Sequence, residues 1–450
     1  MSATLSANLS ATLQLAEKIV ALRDAPLNAE AETVAKQCLL DWFGVAVQGA
    51  QEPVADIMTS ELTRGNEGTH SIIGRREKAS LIDAALINGT IGHALDYDDA
   101  IPASLGHATV PVAPTVLALA AELDASGEQT LRAFLAGYEA ECAIGGYFGP
   151  DHYARGYHAT GTIGAFGAAA AASLLLGLDA HQTARALSLA ATQASGLKSL
   201  FGSMGKPMHA GRAAADGLLA ARLVARGFDA IEDGLENAQG AGPVLAGLEA
   251  GAAIDVTKFG TQICGTLFKY HAACYGTHAP IEAARDFLAA HDPDDIETIE
   301  IHVGTMTVGM CDIETPTSPL ECKFSMHHTV AMVLAGIDTS SLDNYSAEMA
   351  ANPRLAGLRD KMRVVGGFED EHGIMSAKLV INTKSETLEF YRHTGHPNDD
   401  LANQQIRLEE KYDALATPIL GDAANALKQA VKNIKESAHV HELMRLAVPA

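Results

Sequence analysis

The 450-residue chain is poor in basic side chains: 32 Lys and Arg stand against 55 Asp and Glu, a formal charge of −23. Polyanions repel such a chain, which excludes nucleic acid and anionic membrane as partners. A small anionic substrate remains open, because a few Lys and His residues can outweigh the bulk charge at close range. The six cysteines, Cys38, Cys142, Cys264, Cys274, Cys311 and Cys322, form no C-x-x-C pair and no zinc-ligand pattern. Reduced thiols in the cytoplasm are therefore expected, and no basic-then-apolar leader argues otherwise. The most apolar run, residues 163–178, is rich in Ala and Gly and shorter than the roughly 20 residues a membrane span needs.

Several catalytic signatures are also missing. Gly161, Gly164 and Gly167 recur every third residue without forming the G-x-G-x-x-G phosphate loop, and close helix packing explains them better. Gly205-Lys206 matches a Walker loop at that dipeptide alone, since Pro207 stands where Ser or Thr is required. No G-x-S-x-G elbow supports a serine triad.

What is present is mostly helical. Apolar residues recur at helical spacing from Leu9 to Val20 and from Val34 to Val47, then over 81–95, 112–123, 131–144, 162–176, 180–195 and 213–225. Strand alternation is absent until about residue 270. Beyond it, Ile299, Ile301 and Val303 alternate with polar residues, as do Ala377, Leu379 and Ile381, with Ser385 turning the chain into a partner strand. Helices are expected between them, at 327–334 and 346–360. From Leu401 the helical pattern resumes. The expected fold is mainly α with an α+β part. A large all-helical domain takes 1–268 and 401–450 from both chain ends, and 269–400 forms a smaller α+β domain with an antiparallel sheet.

Ionisable residues collect in the loops of this apolar chain. Residues 93–108 place Asp96, Asp98 and Asp99 between His93 and His107. Asp96 lies about one helical turn from His93 and is expected to orient an imidazole, while Asp98 and Asp99 read as structural. Three carboxylates can hold Mg²⁺, but nothing completes an octahedral set, so no metal is expected. His107 and His158 each precede a helical run. Lys206 follows in a short loop, with His209 and Arg212 after it. Lys269 opens a stretch running through His271 and Cys274 to His278, where a lone Cys is more often packed than reactive.

Together these segments resemble the MmgE/PrpD family, which includes 2-methylcitrate dehydratase, cis-aconitate decarboxylase and iminodisuccinate epimerase. The matching pieces are Asn88-Gly89-Thr90 through Asp99, His107 with Pro111, Gly137-Tyr138-Glu139, and His158 with Gly161 to Gly164. They continue with Lys206-Pro-Met-His209-Ala-Gly-Arg212, residues 269–278 and Lys323-Phe324-Ser325. The resemblance implies a homodimer whose smaller domain is a lid. It also implies an inter-domain site for small di- or tricarboxylates that needs no organic cofactor. Carried over by motif, Asp96, His107 and Lys206 would be catalytic, and His158 and Lys269 would bind substrate carboxylates. Members often carry Pro-Cys-Cys or Pro-Ala-His after the last lysine, whereas this chain has Ala272-Ala273-Cys274 with a histidine at 271. That departure favours the epimerase branch over the dehydratases and decarboxylases.

All these reactions must stabilise a carbanion beside a carboxylate. Lysines neutralise the carboxylate, and a histidine titrating near neutrality moves the proton. The expected activity is Cα proton abstraction and return on a polycarboxylate such as iminodisuccinate. A dehydratase- or decarboxylase-like lyase is the alternative within enzymes, and a non-catalytic helical binding protein is the alternative outside them.

Overall fold

A computed structural model describes residues 10–65, 68–368 and 375–450. The chain divides into two compact units. One runs up to Phe268 and takes in Asp399–Ala450; the other is Lys269–Asn398.

The larger unit is built from Ala-rich helices that pack closely. Ser80 starts the helix Leu81–His93 by accepting from the Asp83 N–H, and Ser126 and Asp179 close capping boxes ahead of Gly127–Ala154 and Ala180–Ala191. The helix Gly205–Ala225 lies against both Leu81–His93 and Gly164–Leu175. Its approach to the first depends on two facing glycines. A Cβ on Gly89 would stand 2.7 Å from Gly211 Cα, and one on Gly211 would stand 2.2 Å from the Leu86 carbonyl oxygen. Similar crowding holds at Gly161, Gly164 and Gly167, each with a heavy atom 3.0 Å or less from where its Cβ would be, in keeping with the packing role expected of them. The helix Leu401–Leu420, capped by Asp400, packs on Ala29–Gly49. No helix among the described residues is long and apolar enough to cross a membrane, and none of the six cysteines is in a disulfide.

The larger unit is not wholly helical: His70–Ser71 pairs antiparallel with Lys78–Ala79. The helix over 81–95 stops at His93, and that over 346–360 is two pieces, Ala347–Ala350 and Pro353–Arg359. Pro353 has no N–H to continue the first piece, and Asn352 caps the second. Helices Pro53–Leu62, His278–Leu288 and Thr305–Cys311 have no counterpart among the expected elements.

The smaller unit carries a four-stranded sheet in the order Met362–Val365, Ile296–Val303, Ser376–Thr383, Thr387–His393. The expected alternation is real, with Ile299, Ile301, Val303, Ala377, Leu379 and Ile381 buried, and the last two strands form the expected hairpin. The sheet, however, is mixed and not antiparallel. Met362–Val365 runs parallel to Ile296–Val303, with Ile299 opposite Met362. Parallel neighbours need a long crossover, and the helices between residues 305 and 359 supply it. The helix His278–Leu288 packs on the two hairpin strands.

Candidate active site

The chain leaves the helix Leu81–His93 through a tight reversal. Asp96 adopts φ +52°, a left-handed conformation that Asp tolerates better than most residues. This turns Asp96 away from the helical continuation and brings Asp98 back beneath His93. The two carboxylate oxygens of Asp98 lie 3.0 Å from His93 Nδ1, and Oδ2 is also 3.1 Å from His107 Nδ1. His107 Nδ1 lies 2.6 Å from the Asp99 carbonyl oxygen. A carbonyl can only accept, so Nδ1 carries the proton and Nε2 is left for chemistry.

Asp98 thus stands within hydrogen-bond distance of two imidazoles, the position expected of Asp96. Asp96 instead takes the Lys206 ammonium at 2.8 Å, with His107 Nε2 at 3.9 Å from the same oxygen. Lys206 sits in the first turn of Gly205–Ala225, and the Gly89–Gly211 contact holds that helix against the one ending at His93.

The reversal is anchored from beneath. Lys411, on the helix Leu401–Leu420, makes a buried ion pair of 2.6 Å with Asp41 and donates to the Tyr97 carbonyl at 2.7 Å. Its ammonium also lies 3.9 Å from the Tyr97 ring centroid. The Thr109 hydroxyl donates to Asp99 at 2.5 Å, and Ala100 bridges to Leu267.

His158 completes the cluster. Its ring stacks 5.7 Å from that of His93, Phe201 meets it edge-on at 5.0 Å, and its Nδ1 is 3.1 Å from His209 Nδ1. His209, like His93 and Asp98, lies outside the set that the sequence marks as catalytic or binding. The weak signals for them were the five-residue step from His93 to Asp98 and the position of His209 one turn after Lys206.

The cluster is layered by burial. The side chains of His93 and Asp98 are fully closed off, while those of His107, Lys206 and Asp96 are 14, 16 and 31% exposed. Burial drives the His93 pKa down to about 4 against the pull of Asp98. Burial would raise Asp98, but the imidazoles of His107 and His93 hold it well below the usual carboxylate range. Burial likewise pushes His158 far below an ordinary imidazole, and the neighbouring His93, Lys206 and His107 push it further. Near neutral pH, His93 and His158 are thus neutral and Asp98 is charged. Beneath them, burial, with Asp41 and Asp98 nearby, pushes Asp99 up to about 7 despite the Thr109 hydroxyl.

Ligand atoms of His93, Asp96, Asp98 and His107 lie within 4.8 Å of one another, close enough to share a cation. The Lys206 ammonium already stands beside Asp96, so a divalent ion there would have to displace it.

Asp96, His107, His158 and Lys206 are thus brought together in the larger unit. Lys269 belongs to the smaller one, where it is almost fully buried and adds to the charge lowering the His278 pKa, after burial and His271. There His271 is held between Thr339 Oγ1 at 2.7 Å and Glu282 Oε1 at 3.0 Å, its ring 5.0 Å from that of His278.

The larger, mostly helical unit thus carries a buried His–Asp cluster with one lysine at its edge, and the smaller unit is α+β. The chain belongs to the MmgE/PrpD family: the family's N-terminal domain matches residues 13–250 and its C-terminal domain residues 271–436. The cis-aconitate decarboxylase-like protein oryM of Aspergillus oryzae is 26% identical, over 97% of this chain and 96% of its own. A cis-aconitate decarboxylase of Aspergillus terreus is 25% identical over 86% of each chain. That of Homo sapiens is 26% identical over 89% of this chain and 87% of its own. None of these relatives carries an epimerase name, so the resemblance to the epimerase branch gains no support from them.

Proposed function

We propose that the chain is a lyase that cleaves a small tricarboxylate of the cis-aconitate class without an organic cofactor. The observation that carries this reading is the Asp96–Lys206 pair set beside His107 Nε2, on the reachable edge of an otherwise buried imidazole cluster. The names of the relatives favour bond cleavage over the proton return that the Ala272-Ala273-Cys274 departure pointed to.

In this reading Lys206 neutralises a substrate carboxylate while Asp96 holds its ammonium in place. Neutral His158 donates one hydrogen bond to another carboxylate. The bond from the substrate chain to a carboxylate carbon breaks, CO₂ leaves, and the electron pair stays on the chain. That pair takes a proton through His107 Nε2, which is resupplied from solvent, and Asp98 keeps the ring in register throughout. Lys269 is proposed as a further carboxylate anchor on the resemblance alone, so Lys269→Ala is expected to raise KM more than it lowers kcat. A homodimer is also proposed. The exposed apolar side chains Leu197, Leu200, Phe201 and Met204 offer a surface for it, and sedimentation of the purified chain tests it.

Turnover in D₂O with cis-aconitate, methylcitrate and iminodisuccinate separates the readings. The expected result is CO₂ release from the first, with one deuterium in the product. Deuterium entering recovered iminodisuccinate with no loss of CO₂ or water would establish the epimerase instead. Loss of water from methylcitrate would establish a dehydratase. Tight binding with no turnover of any of the three would leave only a binding protein.

A further inference from the structure

A second cluster of ionisable groups lies on the surface of the larger unit, apart from the residues assigned above. Asp124, in the turn between Thr109–Glu122 and Gly127–Ala154, holds φ +52°. Its Oδ1 lies 2.9 Å from His439 Nδ1 and 3.1 Å from His441 Nδ1, and the two rings are 5.6 Å apart. One ligand atom from each residue falls within 4.8 Å of the other two.

The backbone holds this arrangement across more than three hundred residues of sequence. The Val440 N–H donates to the Ala125 carbonyl at 3.2 Å, and the Gly127 N–H donates to the Ser437 carbonyl at 2.9 Å. The Ser437 hydroxyl donates to the His439 carbonyl at 3.1 Å. A Cβ on Gly127 would stand 1.5 Å from the Ile434 carbonyl oxygen, which shows how closely the two segments are pressed together. All three donor side chains are about half exposed, and His441 also faces an open cleft walled by His70, Lys78 and Arg445. An ion can therefore reach them without any change in fold.

We propose that Asp124, His439 and His441 form a surface site for one divalent transition-metal ion of the zinc, cobalt and nickel type. Two imidazoles and one carboxylate are the donor set such borderline ions prefer, whereas Mg²⁺ and Ca²⁺ favour all-oxygen sites. Each imidazole need only move its proton from Nδ1 to Nε2, so that the Nδ1 lone pair faces the ion. Water fills the remaining positions. The bound ion clips the segment around residue 440 to the turn at Asp124, stabilising the larger unit in proportion to ion occupancy. It takes no part in the reaction.

The test uses the full chain, stripped with chelator and titrated with Zn²⁺ by calorimetry and with Co²⁺ by visible absorption, followed by thermal unfolding with and without ion. One equivalent should bind and raise the unfolding temperature. His439→Gln, His441→Gln and Asp124→Asn should each weaken binding by roughly tenfold or more and abolish the thermal shift. These side chains are exposed, so the ion-free variants should unfold close to the unmodified chain and turn over normally. Absence of binding at millimolar Co²⁺ would overturn the proposal. So would binding that survives the double His439→Gln/His441→Gln variant, and loss of that residual binding in Asp98→Asn would place the ion in the inner cluster.

Discussion

The carboxylate of Asp98 lies 3.0 Å from the imidazole of His93, both side chains fully withdrawn from solvent, and the same carboxylate reaches His107 at 3.1 Å. One buried charge thus orients two rings. Asp98→Asn keeps the shape but leaves a single acceptor oxygen and turns an N–H₂ group towards one imidazole. Losing the hydrogen bonds that this buried carboxylate accepts is expected to cost about 1–3 kcal/mol in urea unfolding. Turnover is expected to fall about 100-fold with KM changed much less. A kcat equal to that of the unmodified chain would remove the orienting role.

Lys206 carries the second expectation. Lys206→Ala removes the charge that offsets a substrate carboxylate and leaves Asp96 repelling it, so kcat/KM is expected to drop about 1000-fold. Lys206→Arg keeps the charge but not the compact ammonium beside Asp96, and should recover only part of that loss. Near-normal turnover of the alanine variant, measured at saturating and at low substrate, would exclude Lys206 from the chemistry.

Asp99 gives the pH dependence. Its folded pKa of about 7 lies above that of the unfolded chain, so between about pH 4 and 7 the folded state binds more protons. Its contribution is therefore fully present below pH 4 and is lost as pH rises to 7. The rise from an ordinary Asp carboxyl to about 7 corresponds to a loss on the order of 4 kcal/mol for this buried group. His93, with a folded pKa of about 4, has the opposite sign and gains stability over pH 4 to 6.5, which masks the trend in the unmodified chain. Asp99→Asn removes one of the two. Its stability relative to the unmodified chain should rise between pH 5 and pH 8 in urea titrations, and a difference independent of pH would contradict the assignment.

Gly89 links packing to the site. Gly89→Ala puts a methyl 2.7 Å from Gly211 Cα, a backbone contact that no rotamer can relieve. The helix bearing Lys206 must then move away from the one ending at His93. A stability loss of about 1–3 kcal/mol is expected, together with a turnover loss larger than that of Ala85→Gly, which removes a methyl from the same helix farther from the contact. Equal effects of the two substitutions would dissociate helix spacing from the site.

How far the site could be read from the chain differs by residue. His107, His158 and Lys206 stood out because ionisable side chains are conspicuous in loops between apolar helices, and such loops usually reach the surface. His93 and Asp98 did not. An imidazole one helical turn from Asp96 requires the helix to run on past His93, whereas it ends there and Asp96 takes a left-handed turn. A single backbone dihedral exchanged the roles of two aspartates two residues apart. His209, which meets His158, belongs to a helix whose first two turns, Gly205 to Arg212, are too polar and too rich in Gly and Pro to show an apolar stripe.

The sheet shows a similar limit. Alternation in 299–303 and 377–381 is a local property and marked both strands, because each buries one face. The parallel partner Met362–Val365 has no such alternation, being buried on neither face, and its pairing depends on a crossover of several short helices.

By itself, then, the sequence determined the features that local pattern and composition dictate: the helical character, the change of texture near residue 270, and the loops where ionisable groups collect. Helical periodicity and charge are nearest-neighbour quantities, readable over a few turns. Which carboxylate meets which imidazole, and that Lys206 stands beside Asp96 across 110 residues, was decided by tertiary structure. Those distances depend on how closely two helices approach at Gly89 and Gly211 and on one reversal at Asp96. Neither leaves a periodic trace in the chain.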